Sequence, residues 1–191
     1  MAESEAEIML LRSPGAAENG NEKTAHEKVR SAGRHRAREV ALQVLYAIDL
    51  GKSDALRAPR GEFEDADSAA HDPADAAATF GEGVFDRVAE NFSVPASAVA
   101  FARELVSSVV ERVAGLDELL GVHAKNWRVT RMAAVDRNVL RIAVYELRDT
   151  ETPVAVVIDE AIDLARRFGA DSSPAFVNGV LDAVAREVRI Q

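Results

Sequence analysis

The chain has 191 residues, a formal net charge of −9 at pH 7, 48% hydrophobic and 5% aromatic residues, and no cysteine. This length suits one compact domain with tails, and the lack of thiols excludes a disulfide framework, a thiolate metal site and a cysteine nucleophile. No segment approaches the ~20 apolar residues of a membrane span, and the glutamates ahead of Ile8, Met9, Leu10 and Leu11 are unlike the cationic start of a signal peptide, so the cytoplasm is the expected compartment.

Residues 1–32 mix Pro14, Gly15, Asn19, Gly20 and Asn21 with many charges and no period, which predicts a disordered tail. Ala37, Val40, Ala41, Val44, Leu45 and Ile48 then recur at three- and four-residue steps, predicting a first helix over 33–50 that Gly51 stops. Residues 52–79 return to Ala, Asp, Ser, Gly and Pro with hardly any large apolar side chain. That composition cannot offset its ordering entropy and predicts a low-complexity acidic insertion. Its acids, among them Glu62, Glu64, Asp65 and Asp67, are either a plain solvated loop or a cover for a basic patch.

Phe80, Val84, Phe85 and Val88 predict a short helix, and Pro95 marks the approach to another. That helix is expected over 99–120, carrying Val99, Leu105, Val106, Val109, Val110, Val113 and Leu116, with a bend at Gly115 and a separate shorter helix over 117–124. Thr130 is the expected cap of a helix holding Met132, Val135, Val139, Leu140, Ile142, Val144 and Leu147, apolar over more than half its circumference and hence central. The β-branched run from Val154 to Ile158 reads as strand in isolation. Its continuation into Ala161, Ile162, Leu164, Ala165 and Phe168 at helical spacing decides for helix, with Pro153 at the start and Gly169 past the end. A last helix follows Ser173 and Pro174. The expected fold is all-α: a bundle of about seven helices in two groups parted near 125–129, forming one domain over 33–191.

Three constellations bear on chemistry. Arg34, His35, Arg36 and Arg38 make a cationic collar at a helix start, where cations oppose the macrodipole. The collar is either a solvated helix start or a set of forked phosphate donors. Asp159, Glu160 and Asp163 suggest a carboxylate site, but Asp163 precedes Arg167 by four, the spacing of a helix-stabilising ion pair. Asn178 and Gly179 interrupt the last helix, which predicts a close helix approach at Gly179 and a hydrogen bond from Asn178. The histidines at 26, 35, 71 and 123 are scattered and no glycine-rich phosphate loop occurs. No catalytic site, metal site or cofactor is expected.

Four blocks in register resemble the transcription antitermination factor NusB family. They are Arg34-His35-Arg36-Ala37-Arg38-Glu39 with Ala41, Gln43, Leu45-Tyr46 and Asp49; Val135-Asp136-Arg137 leading into Leu140-Arg141-Ile142-Ala143-Val144-Tyr145-Glu146-Leu147; Val157 through Ala165; and Phe168-Gly169-Ala170-Asp171 through Phe176-Val177-Asn178-Gly179-Val180-Leu181. The resemblance implies a non-enzymatic, all-helical factor that binds boxA-type single-stranded RNA together with the ribosomal protein NusE, within the RNA polymerase antitermination complex on ribosomal RNA operons. It implies RNA contact by Arg34, Arg36 and Arg38, with His35 among them, and by Gln43 and Phe176. Tyr46, Asp136 and Arg137 match the face turned to NusE. The tail and the insertion exceed the usual family pattern, and Ser172 stands where an acid is common. The alternatives are a module akin to the N-terminal region of RNA cytosine methyltransferases and a homo-oligomeric helical scaffold, in the simplest case a homodimer.

Overall fold

The computed structural model of the chain describes residues 18–57, 85–86, 96–124 and 127–188; for 18–30, 52–57 and 97 it describes the backbone alone. The helices are α1 (Glu18–Arg57), α2 (Ala96–His123), α3 (Ala134–Asp149), α4 (Val154–Phe168) and α5 (Ser173–Val188), with a 3-10 helix over Val129–Arg131. There is no strand among the described residues, and the run after Pro153 is helical, as its continued period requires.

Among the described residues the helices number five rather than the expected seven, for two reasons. The stretches 99–120 and 117–124 form one helix, because Gly115 passes without a break. A glycine costs about 1 kcal/mol against alanine in a helix interior, and the burial of Leu105, Val106, Val109, Leu116 and Leu120 along α2 outweighs it. The expected short helix around Phe80 to Val88 lies outside the described residues apart from Phe85 and Asp86, which are helical.

The first helix also departs from its expected bounds. It starts at Glu18 rather than near Gly33 and runs through Gly51 to Arg57. Residues 18–32 are rich in Glu, Lys and Ala, good helix formers, and a single glycine at 51 is too weak a stop. Of the expected tail, 18–32 is therefore helical and 1–17 lies outside the described residues. Of the expected insertion, 52–57 is helical and 58–79 lies outside them.

Helix α3 is central. It packs against each of the other four helices, and every residue over 138–147 is buried. Thr130 does not cap it: that residue sits in the 3-10 helix, and the N-cap position belongs to Ala133, which supplies no side-chain hydrogen bond. Asp136 in the first turn instead places a negative charge at the positive end of the helix.

An ion network ties α1, α2 and α3 together behind this core. Arg137 Nη2 donates to Asp49 Oδ2 at 2.7 Å and Asn138 Nδ2 donates to the same oxygen at 3.1 Å. Arg141 grips Asp117 with two donors at 2.7 Å each. Burial alone would raise the Asp49 carboxyl, but the hydrogen bond and charge of Arg137, with Arg141 and Asn138, hold it below the ordinary range.

The α4–α5 junction is set by Gly169. A Cβ there would stand 2.6 Å from the Ala165 carbonyl oxygen and 2.6 Å from Ser173 Cβ and Oγ, so only glycine lets the two helix ends meet this closely. Ser173 closes the turn: its hydroxyl accepts the Ala170 N–H at 3.0 Å while its own N–H donates to the Ala170 carbonyl at 2.9 Å. The close approach expected at Gly179 is not there, since a Cβ at that position meets nothing within 4 Å.

Among the described residues no helix is long and apolar enough to cross a membrane.

Candidate nucleic-acid interface

The period of α1 turns Ala37, Val40, Ala41 and Val44 into the bundle, which fixes where the collar residues point. Arg34 is exposed, and its guanidinium lies 4.8 Å from the centre of the Phe101 ring of α2, within the range of a cation–π contact. It has no carboxylate partner among the described residues. His35 is half-buried, with Nδ1 2.7 Å from Glu160 Oε2 and Nε2 3.4 Å from Glu39 Oε1. Arg36, also half-buried, pairs with Glu39 one turn on.

Arg38 corrects the expected collar. It is 2% exposed and donates through Nε and Nη2 to the two oxygens of Glu146, itself 1% exposed, at 2.7 Å each. Its Nη1 also lies 3.5 Å from Glu160 Oε2. Desolvation opposes the charged form, yet the hydrogen bonds and charge of Glu146, with Glu160, raise the Arg38 pKa still further. Two residues beyond Arg36, the helical period turns Arg38 inward, where it joins α1 to α3. It is a structural anchor rather than a surface donor.

Two other expectations are corrected here. Asp163 pairs with Arg166, at 2.5 Å, and not with Arg167; Arg167 reaches across to Glu39 on α1. Glu160 is not merely a charge on the first turns of α4 but the group on which His35 and Arg38 converge. Glu39, 1% exposed, is the corresponding hub for Arg36 and Arg167. The collar is thus a cluster in which Arg36, Arg38 and Arg167 pair with Glu39, Glu146 and Glu160, and Arg34 stands over the Phe101 ring beside them, a concentration of guanidinium groups on a chain that is acidic as a whole. Sequence spacing could have shown Glu39, three residues after Arg36; no local signal marks Glu146, Glu160 or Arg167.

From Arg167 the surface continues over the Gly169 turn to the start of α5. Phe176 is half-buried there, its N–H bonded to the Ser172 carbonyl at 3.2 Å. Its ring makes a T-shaped contact with Trp127, with centroids 5.5 Å apart and planes at 63°. Gln43 is half-buried in the middle of α1.

The residues expected on the partner face fall elsewhere on α1 and on α3. Tyr46 is 39% exposed and Leu50, one turn on, is exposed too. Asp136 is half-buried in the first turn of α3, whereas the head of Arg137 is engaged with Asp49 inside the molecule.

A model of the NusB family matches residues 35–186, which takes in the collar from His35 onward, the whole of α3 and α4 and the Phe176 turn. The chain belongs to the NusB family. Among curated relatives it is similar to the transcription antitermination protein NusB of Anaeromyxobacter dehalogenans, 42% identical over 155 residues that cover 80% of this chain and 89% of that protein. The transcription antitermination protein NusB of Solibacter usitatus is 39% identical over 160 residues, covering 82% of this chain and 91% of that one. Among solved structures, T. maritima NusB aligns with TM-score 0.62 and 29% identity over 81% of this chain and 91% of that chain. A chain of the crystal structure of antitermination factors NusB and NusE in complex with dsRNA aligns with TM-score 0.60 and 27% identity, over 81% of this chain and 97% of that one. For a member of the NusB family, the collar and the Phe176 turn are then the surfaces to test for RNA, and the Tyr46 face of α1 the one to test for a protein.

Proposed function

We propose that this chain is a transcription antitermination factor that acts in the cytoplasm by binding, without catalysis, and that it holds boxA-type single-stranded RNA jointly with ribosomal protein NusE to promote antitermination in ribosomal RNA operons. The observation that carries this reading is the cationic surface of Arg34, His35 and Arg36, continued through Arg167 to the Phe176 turn, in a chain whose family match takes in all of these but Arg34. Guanidinium groups meet phosphate by charge and forked geometry, and a half-exposed ring can stack on an unpaired base. Arg38 supports this surface from beneath, as the anchor that joins α1 to Glu146 of α3. Tyr46, with Leu50 and Asp136, is the face for NusE; Arg137 serves it by fixing Asp49. The finer architecture that goes with this reading is a bundle in two helical groups parted around 125–129.

The complex among the structural neighbours contains double-stranded RNA, so the test carries both forms. Binding of a single-stranded boxA-type RNA and of its duplex is measured by anisotropy with NusE present, for the parent and for Arg34→Ala with Arg36→Ala. The double variant is expected to bind more weakly and to lose about 1.4 from the slope of log K against log salt, on the order of 0.7 per phosphate contact on a single strand. An unchanged slope and affinity would remove the collar from the RNA site, and preference for the duplex would overturn the single-strand assignment.

A further inference from the structure

Trp127 is the chain's one tryptophan and is 56% exposed. A bundle of this kind buries large aromatic rings, since each carries a large apolar surface, so an indole standing half in solvent calls for an explanation. Its backbone is held, the N–H donating to the Ala124 carbonyl at 2.8 Å. It meets Phe176 in a T-shaped contact, and its exposure shows that ring surface stays uncovered.

The neighbouring charges are unusual for this protein. Most arginines of the described residues are matched with carboxylates, among them Arg36, Arg38, Arg103, Arg137 and Arg141. Arg128 and Arg131 are exposed and have no carboxylate partner among the described residues. Arg128 is the extended N-cap of the 3-10 helix and Arg131 its last residue, and the Arg131 N–H donates to the Arg128 carbonyl at 2.8 Å. One short turn therefore carries both arginines directly after Trp127.

Resting on the RNA-binding reading above, we propose that Trp127 is a base-stacking position for single-stranded RNA, with Arg128 and Arg131 taking the flanking phosphates, and that it extends the RNA path beyond Phe176. An exposed ring beside unpaired guanidinium groups is the arrangement by which proteins hold unpaired bases, the ring meeting the base and the cations the backbone. The path is continuous in the fold: Arg36 and Arg167 meet at Glu39, Arg167 leads through the Gly169 turn to Phe176, and Phe176 touches Trp127. Stacking here is tolerant of base identity, because every base presents a π-face. This site adds affinity and length of contact rather than sequence choice.

The single tryptophan makes the test direct. The full chain with NusE is titrated with unlabelled single-stranded boxA-type RNA while indole emission is read, the Trp127→Phe chain supplying the background; anisotropy of a labelled copy of the same RNA reports binding independently. Emission is expected to be quenched in step with binding. Trp127→Ala should weaken binding roughly fivefold or more, the effect of losing one base stack, while Trp127→Phe keeps most of the affinity. Arg128→Ala with Arg131→Ala should flatten the salt dependence. Since Trp127 is exposed, these variants should melt with the parent; should Trp127→Ala fail to fold, the emission of the parent decides. Anisotropy that reports binding while emission and the Trp127→Ala affinity stay unchanged overturns this site and leaves the RNA reading standing. No binding by either signal overturns both. Emission that responds to NusE alone and not to RNA gives the face to the protein partner and overturns the proposal.

Discussion

Replacing Arg38 by alanine separates a structural arginine from the surface arginines beside it. The substitution removes both donors from Glu146 and leaves that carboxylate 1% exposed, its nearest remaining donor in this cluster being the Thr152 hydroxyl at 3.4 Å. Breaking a buried pair from one side costs about 3–5 kcal/mol, because an uncompensated charge remains inside. For a protein of this size each kcal/mol shifts Tm by roughly 2–4 °C, which gives a fall of about 6–20 °C. Thermal unfolding at neutral pH, followed by far-UV circular dichroism, measures it. Arg34→Ala under the same conditions should stay within about 0.5–1 kcal/mol of the parent, since it loses only the contact with Phe101. Arg38→Met with Glu146→Leu should recover much of the loss, as replacing a whole buried pair by apolar groups is often neutral. If Arg38→Ala melted with the parent while weakening RNA binding as much as Arg34→Ala does, the anchor role assigned to Arg38 would be refuted.

The remaining predictions concern pH and the glycines. The Asp49 carboxyl is held below its unfolded value, near 3.9, so the stability it contributes is present above that value and is lost as pH falls through the lower folded one; acid unfolding of Asp49→Asn should show a shallower pH dependence below about pH 4, and an unaltered acid limb would contradict the network. Gly169→Ala should cost about 1–3 kcal/mol in urea unfolding, because its new methyl group meets the backbone oxygen of Ala165 and the side chain of Ser173. Gly179→Ala, placed in open space on a helix, should instead stabilise by about 0.5–1 kcal/mol; equal effects at the two glycines would show that the Gly169 turn is not tightly packed.

What the sequence made legible follows from the range of the forces involved. Helix α4 begins and ends where Pro153 and Gly169 place it, and α5 begins at Ser173, because start and stop signals and the 3.6-residue period act within one turn. The single long α2 and the reach of α1 past Gly51 were not legible, since a lone glycine is a weak signal that burial or helix-forming neighbours override. At the site, the collar was visible as a charge pattern, but not the fate of its members. Arg38 and Glu146 are 108 residues apart in the chain, and His35 and Glu160 are 125 apart, so no local pattern reports that one cation is buried while Arg34 is exposed. The same holds for Trp127: its edge contact with Phe176 joins the loop after α2 to the start of α5.

The central claim, that RNA is held jointly with a protein partner, is tested most directly by titrating labelled single-stranded boxA-type RNA into the full chain with and without saturating NusE. Binding by the chain alone is expected to be weak and steeply salt-dependent, with a marked gain in affinity on adding NusE and loss of that gain in Tyr46→Ala, whose side chain stands exposed on α1. Equal affinities with and without NusE would contradict it.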